Sequence, residues 1–164
     1  MPAFRRHVSV LSCDIVNSTQ RATEIGDHEW KRLLLRFYDL ADNKLKHFRG
    51  RKLDTAGDGL FAAFDGPARA VRCGSSLIES ARDLRVQLRV GVHTGECEVL
   101  GDKYSGIAVH LGARVAAAAN PGQLLVTSTV KDLVVGSGIQ FEDIGPRSLK
   151  GVSETWHLFS VTSV

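Results

Sequence analysis

Short apolar runs rich in β-branched residues alternate along this chain with longer stretches in which apolar residues recur every three or four positions. Residues 8–13 are apolar and β-branched up to Asp14, the pattern of a buried central strand. Asn17, Ser18 and Thr19 follow as a turn, with Ser18 or Thr19 placed to cap a helix. Asp27 is a second cap after Gly26, and Trp30, Leu33, Leu34, Phe37, Ala41 and Leu45 share one helical face, predicting a long amphipathic helix that ends near Gly50. Residues 53–55 and 60–64 flank Ala56-Gly57-Asp58-Gly59 and read as two short strands joined by a tight hairpin with Asp58 at its tip. Asp65-Gly66-Pro67 supplies a cap and an early proline for another helix, running to about Arg82.

In the second half Val86, Leu88, Val90 and Val92 alternate with Gln87, Arg89, Gly91 and His93, the period of a half-buried strand, and a further strand is expected after Gly95. Residues 101–106 read as a loop. Ile107, Leu111 and Val115 mark a helix that continues to about Ala119, where Asn120-Pro121-Gly122 stops it. Residues 124–126, a short helix from Ser128, and strands at 139–142 and 155–161 complete the chain. The order β-α-β-β-α-β at the start is the ferredoxin-like arrangement, an antiparallel sheet with helices on one face. The expected fold class is α+β, a ferredoxin-like core with extra C-terminal strands and a helix, in a single domain over residues 1–164.

Composition narrows the function classes. Apolar residues make up 43% and charged residues 24% of the 164, close to globular averages, which excludes disorder, collagen-like repeats and coiled coil. A net charge of +3 is too small to mark a nucleic-acid binder, and the densest basic run, Arg49, Arg51 and Lys52, reads as a solvated turn. Cys13, Cys73 and Cys97 lack metal or redox spacing and read as small buried hydrophobes. Arg5, Arg6 and residues 8–11 resemble the start of a signal peptide, but Asp14 interrupts the apolar run. Nothing approaches the ~18 apolar residues of a membrane span, so a cytoplasmic protein without membrane or nucleic-acid partners is expected.

The chemistry follows from topology. In a β-α-β-β sheet the end of the first strand and the hairpin tip can be neighbours, bringing Asp14 and Asp58 together as ligands for divalent metal. Two such ions can activate an attacking oxygen and neutralise a leaving phosphate, and hard oxygen ligands favour Mg2+ or Mn2+. The turn at residues 15–19 would point backbone N–H groups and a helix start at the same place, as phosphate sites do. His110 and Arg114 are four residues apart on one helix face, where a guanidinium could stabilise a transferring phosphoryl group. His93, four residues before Cys97, reads as a strand residue rather than a ligand.

Five motifs in order carry a family resemblance: Asp14-Ile15-Val16-Asn17-Ser18-Thr19, Thr55-Ala56-Gly57-Asp58-Gly59, Gly91-Val92-His93-Thr94-Gly95-Glu96, residues 106–114, and Leu149-Lys150-Gly151-Val152. Together they resemble the catalytic domain of class III adenylate and guanylate cyclases, especially the actinobacterial subgroup. The resemblance implies a head-to-tail homodimer that cyclises ATP or GTP, each site drawing on both chains. It assigns two metals, Mg2+ or Mn2+, to Asp14, Asp58 and the backbone carbonyl of Ile15. The triphosphate goes to Asn17, Ser18 and Thr19. From the partner chain, Arg114 would stabilise the transition state and Lys150 would reach the terminal phosphates. Diguanylate cyclases carry a hairpin similar to residues 56–61, but Gly59 and Leu60 break that pattern.

Four positions depart from the family. Asn17 stands where glycine is usual, and His110 replaces the usual asparagine, a swap seen in this subgroup that keeps a hydrogen-bond donor. Asp54 stands where adenylate cyclases carry the lysine that reads adenine, and Lys103 falls at the partnering aspartate, unless a one-residue slip puts Asp102 there. Either the exchanged charges read guanine, Asp54 accepting N1–H and N2–H and Lys103 donating to O6, or the two side chains pair across an empty base pocket. In the second case the chain is a weak or silent cyclase homologue serving as a nucleotide-binding or dimerisation module.

Overall fold

A computed structural model describes residues 4–164. The apolar run near the start lies within β1 (Phe4–Ile15), which begins earlier than hydropathy implies because its exposed first residues pair along β4 (Leu88–Leu100). Backbone pairing decides this end: all twelve β1 residues have a β4 partner, from Phe4↔Val99 to Ile15↔Leu88. The apolar interruption expected near Gly95 does not break β4, a single strand of 13 residues. Gly95 has no side chain to pack, but the strand loses no ladder partner there, since Val8 pairs with it. Val86, by contrast, precedes the strand.

After β1, the turn at Val16 and Asn17 leads into α1 (Ser18–Ile25) and then α2 (Asp27–His47). The expected side-chain caps are absent here. Ser18 is the first residue of α1 rather than its cap, Asp27 the first of α2 after Gly26, and Gly66 rather than Asp65 precedes α3 (Pro67–Ala81). The hairpin β2 (Arg51–Ala56) and β3 (Gly59–Phe64) turns on two residues, Gly57 and Asp58. The stretch expected as a loop holds β5 (Lys103–Ser105), folded back on β4, before α4 (Ile107–Ala117). β6 (Leu124–Thr127), α5 (Ser128–Leu133), β7 (Gln140–Ser148) and β8 (Thr155–Ser163) complete the fold.

The sheet order is β2-β3-β1-β4-β6-β8-β7, and its first four strands are the ferredoxin-like core. β1 is buried on both faces. Leu11, Cys13 and Ile15 meet Phe37 of α2 and Leu77 of α3, whereas Val8 and Val10 meet Ala108 of α4. The two core helices therefore share one face as expected, and α4 covers the other. Two glycines permit its approach: a Cβ at Gly91 would lie 2.3 Å from Ala116 N, and one at Gly112 would lie 3.2 Å from Val10 Cγ1. The three cysteines are buried and free.

Candidate active site

Asp14 lies one residue from the end of β1, opposite Gly59 in the β1–β3 ladder. That register works only with glycine, since a Cβ at Gly59 would sit 2.5 Å from Cys13 O. The neighbouring tip residue Asp58 is thus drawn against β1, where its carbonyl accepts from Ile15 N at 2.9 Å. Ser18 Oγ donates to Asp58 Oδ2 at 2.6 Å, and Tyr38 Oη of α2 donates to the Gly57 carbonyl. The structure therefore brings Asp14, Ile15, Ser18 and Asp58 together. Ser18, taken from sequence as a phosphate contact, spends its hydroxyl on the carboxylate.

Asp14 Oδ1 is buried without a hydrogen-bond partner among the described residues. Burial raises the Asp14 carboxyl above its usual range, the Arg89 guanidinium opposes that rise, and the charge of Asp58 adds to it. An orphaned acceptor beside a second carboxylate is satisfied by a cation, so the donor set fits a hard divalent metal on Asp14 and Asp58, to which Ile15 could add only its backbone carbonyl. Among the described residues no cluster of three or more His, Cys, Asp or Glu side chains forms. Burial also pushes the Cys13 thiol up, so beside these acids it stays protonated.

Asn17 adopts a left-handed backbone, φ 53 and ψ 39. Asparagine is among the few residues besides glycine that visit this region readily, so the substitution keeps the turn glycine would make. Val16 N donates to Gln87 O at 2.9 Å and fixes the turn to the segment before β4. Thr19 is exposed in the first turn of α1. Beside that turn a cavity of about 290 Å³ is bordered by Asn17, Gln20, Arg21 and Arg85.

The remaining predicted residues lie on other surfaces. His110 and Arg114 are exposed on α4 and border a cavity of about 440 Å³ with Gly151, Val152 and Trp156. Lys150 is exposed immediately before Gly151, in a turn closed by Val152 N donating to Leu149 O at 3.0 Å. Asp54 and Lys103 border another cavity, of about 560 Å³, together with Asp102 and Phe61. A bulge in β2 between Lys52 and Asp54 allows both Leu53 and Asp54 to line it. Among the described residues no ion pair joins Asp54 to Lys103. Neither of these two cavities is lined by Asp14 or Asp58.

Two site residues escaped the sequence reading. Arg89 was only the polar phase of a strand, yet register sets it opposite Asp14, and its Nε is buried with no partner among the described residues. Tyr38, half-buried on α2, stood outside the apolar face read from the sequence. The one available signal for Arg89 was its position two residues before the Gly91 motif. His93, by contrast, is a buried strand residue whose Nδ1 lies 2.8 Å from Thr127 Oγ1.

The family model for the adenylate and guanylate cyclase catalytic domain matches residues 3–161. The chain belongs to this cyclase family. A protein provisionally named adenylate cyclase 3 in Rhizobium meliloti (strain 1021) is 26% identical over 165 residues, 95% of this chain and 28% of that protein. An uncharacterised protein of Mycobacterium tuberculosis (strain ATCC 25618 / H37Rv) is 33% identical over 72% of this chain and 32% of its own length. The chain thus spans under a third of either relative. The cyclase fold is shared with the adenylyl cyclase CyaB from P. aeruginosa, at TM-score 0.91 and 21% identity over 100% of this chain and 97% of the other. The guanylate cyclase domain of RhGC from Catenaria anguillulae, solved with GTP, superposes at TM-score 0.88 and 19% identity over 99% of each chain.

Proposed function

We propose that this cyclase domain converts a purine nucleoside triphosphate to its 3′,5′-cyclic nucleotide and pyrophosphate at the interface of a head-to-tail homodimer. The observation that carries the reading is Asp14 Oδ1, a buried acceptor without a partner among the described residues, beside the fixed carboxylate of Asp58. Two divalent cations held there would activate the ribose 3′ oxygen and neutralise charge on the leaving pyrophosphate. The N–H groups at the start of α1, with Asn17 and Thr19, hold the triphosphate, and Arg89, opposite Asp14 in the β1–β4 ladder, adds positive charge beside the acids. The separation of Asp14 and Asp58 from the cavities of α4 and β5 supports completion by a second copy. From that copy Arg114 stabilises charge on the α-phosphoryl group, His110 donates a hydrogen bond, and Lys150 meets the terminal phosphates. The 3′ oxygen bonds to the α-phosphorus, the bond to pyrophosphate breaks, and the hydroxyl proton leaves to solvent. No covalent enzyme intermediate is required.

Base choice belongs to Asp54 and Lys103. They border one cavity without pairing across it, which favours a reader over a closed pocket. A carboxylate accepting N1–H and N2–H with an ammonium donating to O6 fits guanine, so GTP is the preferred substrate in this reading. The test is chromatography of products after incubation of concentrated protein with ATP or GTP and Mn2+, with Asp58→Ala as control. A cyclic product that disappears in the control supports the reading and names the base. A confirmed dimer that binds nucleotide but forms neither cyclic product would instead be a regulatory binding module.

A further inference from the structure

The hairpin tip bearing Asp58 is a two-residue turn whose position sets that of the carboxylate. The turn lies between the paired Ala56 and Gly59, and Gly57 adopts φ 57, so the position of the Asp58 carboxylate depends on how these two residues are held. Asp14 and Asp58 are also like charges, which pushes the tip away from β1 whenever no cation lies between them. Three hydrogen bonds oppose that movement, and each comes from a different element. β1 supplies Ile15 N to the Asp58 carbonyl, α1 supplies Ser18 Oγ to Asp58 Oδ2, and α2 supplies Tyr38 Oη to the Gly57 carbonyl. The first two grip Asp58 itself. Only the third grips Gly57, and it comes from a 21-residue helix whose buried face, including the adjacent Phe37, is fixed in the main core. Tyr38 packs half-buried against that core, so its hydroxyl has a defined position.

We propose that Tyr38 is a positioning residue: its hydroxyl, acting through the Gly57 carbonyl, holds the Asp58 carboxylate at the spacing from Asp14 that a divalent cation requires. The proposal rests on the reading of Asp14 and Asp58 as metal ligands. Outer hydrogen bonds that orient a ligating carboxylate commonly tune affinity in this way. Because Tyr38 acts through the Gly57 carbonyl and not on the Asp58 carboxylate itself, its removal is expected to change metal affinity rather than the chemistry at saturating metal.

The test compares Mn2+ binding to the full chain, followed by the paramagnetic signal of free Mn2+, in wild type, Tyr38→Phe and Asp58→Ala, with thermal unfolding and amide exchange of Ile15 measured on each. Tyr38→Phe is expected to weaken Mn2+ binding by about three- to tenfold, the equivalent of one hydrogen bond, and to speed Ile15 exchange. Its half-saturating Mn2+ for cyclisation should rise by the same factor while the rate at saturating Mn2+ stays near wild type. Unchanged Mn2+ affinity in Tyr38→Phe, with clear weakening in Asp58→Ala, overturns the role of Tyr38 and leaves the metal reading standing. Equal binding by wild type and Asp58→Ala overturns the metal reading and the proposal with it.

Discussion

At Asn17 the backbone is left-handed, a conformation whose strain falls on the Cβ of an L residue and is tolerated best by asparagine after glycine. Asn17→Gly is therefore expected to leave stability and turnover near wild type. Asn17→Val should cost about 1–2 kcal/mol and raise the KM for nucleotide, read by urea unfolding and steady-state kinetics. His93 makes a different statement about single residues. Its imidazole is buried between Thr127 and the edge of Trp156, and burial lowers its pKa from 6.5 to about 4. The folded state favours the neutral ring, so its contribution is complete above pH 6.5 and is lost as pH falls toward 4, where the unfolded chain takes up a proton that the folded chain refuses. At ~1.4 kcal/mol per pKa unit the loss is on the order of 3 kcal/mol. Urea unfolding at pH 7.5 and pH 4.5 should show this loss in wild type and much less of it in His93→Gln; equal pH sensitivity of the two proteins would refute the assignment.

Helix α4 shows how an element is placed by what it lacks. Gly91 on β4 and Gly112 on α4 let two backbones approach, and the buried Leu111 and Val115 then seat the helix against β6 and β8. Its outer face carries His110 and Arg114. Gly91→Ala would force a Cβ to within 2.3 Å of Ala116 N, and backbone cannot yield as a flexible side chain can. The expected result is destabilisation of at least about 1–3 kcal/mol, as for overpacking in general, with turnover falling more than nucleotide affinity because Arg114 is displaced. Calorimetry and kinetics on the purified variant check both halves. The length of β4 carries a related lesson. Read by hydropathy it stops near Gly95, but its far half is held by pairing with Phe4 to Ser9 and with β5, and that pairing carries Lys103 to the cavity of Asp54.

For the whole molecule, the acids Asp14 and Asp58 and the α4 residues His110 and Arg114 border different surfaces, and a symmetric dimer can join one set to the other twice. Asp58→Ala and Arg114→Ala should each be inactive alone. Mixed in equal amounts and allowed to exchange, they should recover about a quarter of wild-type activity, since half the dimers are mixed and each has one intact site. No recovery in mixtures shown to contain heterodimer would mean that both residues act within one chain.

Much of this protein is determined by local pattern. Apolar periodicity places α2 and α4, Pro67 marks the start of α3, a β-branched apolar run places the centre of β1 and period-two alternation that of β4, because burial acts on each side chain where it stands. The expectation from topology that Asp14 and Asp58 are neighbours is met where the β2–β3 hairpin pairs with β1, while Arg114 keeps only its predicted place on the exposed face of α4. Tertiary structure alone decided the rest: the β1–β4 register that sets Arg89 beside Asp14, the bulge that lets Asp54 line its cavity, the diversion of Ser18 from helix cap to carboxylate partner, and the reach of Tyr38 to Gly57. Each depends on which backbone lies opposite which. Pairing between distant segments is set by the closing of the whole sheet, a sum of many contacts that no single window of residues contains.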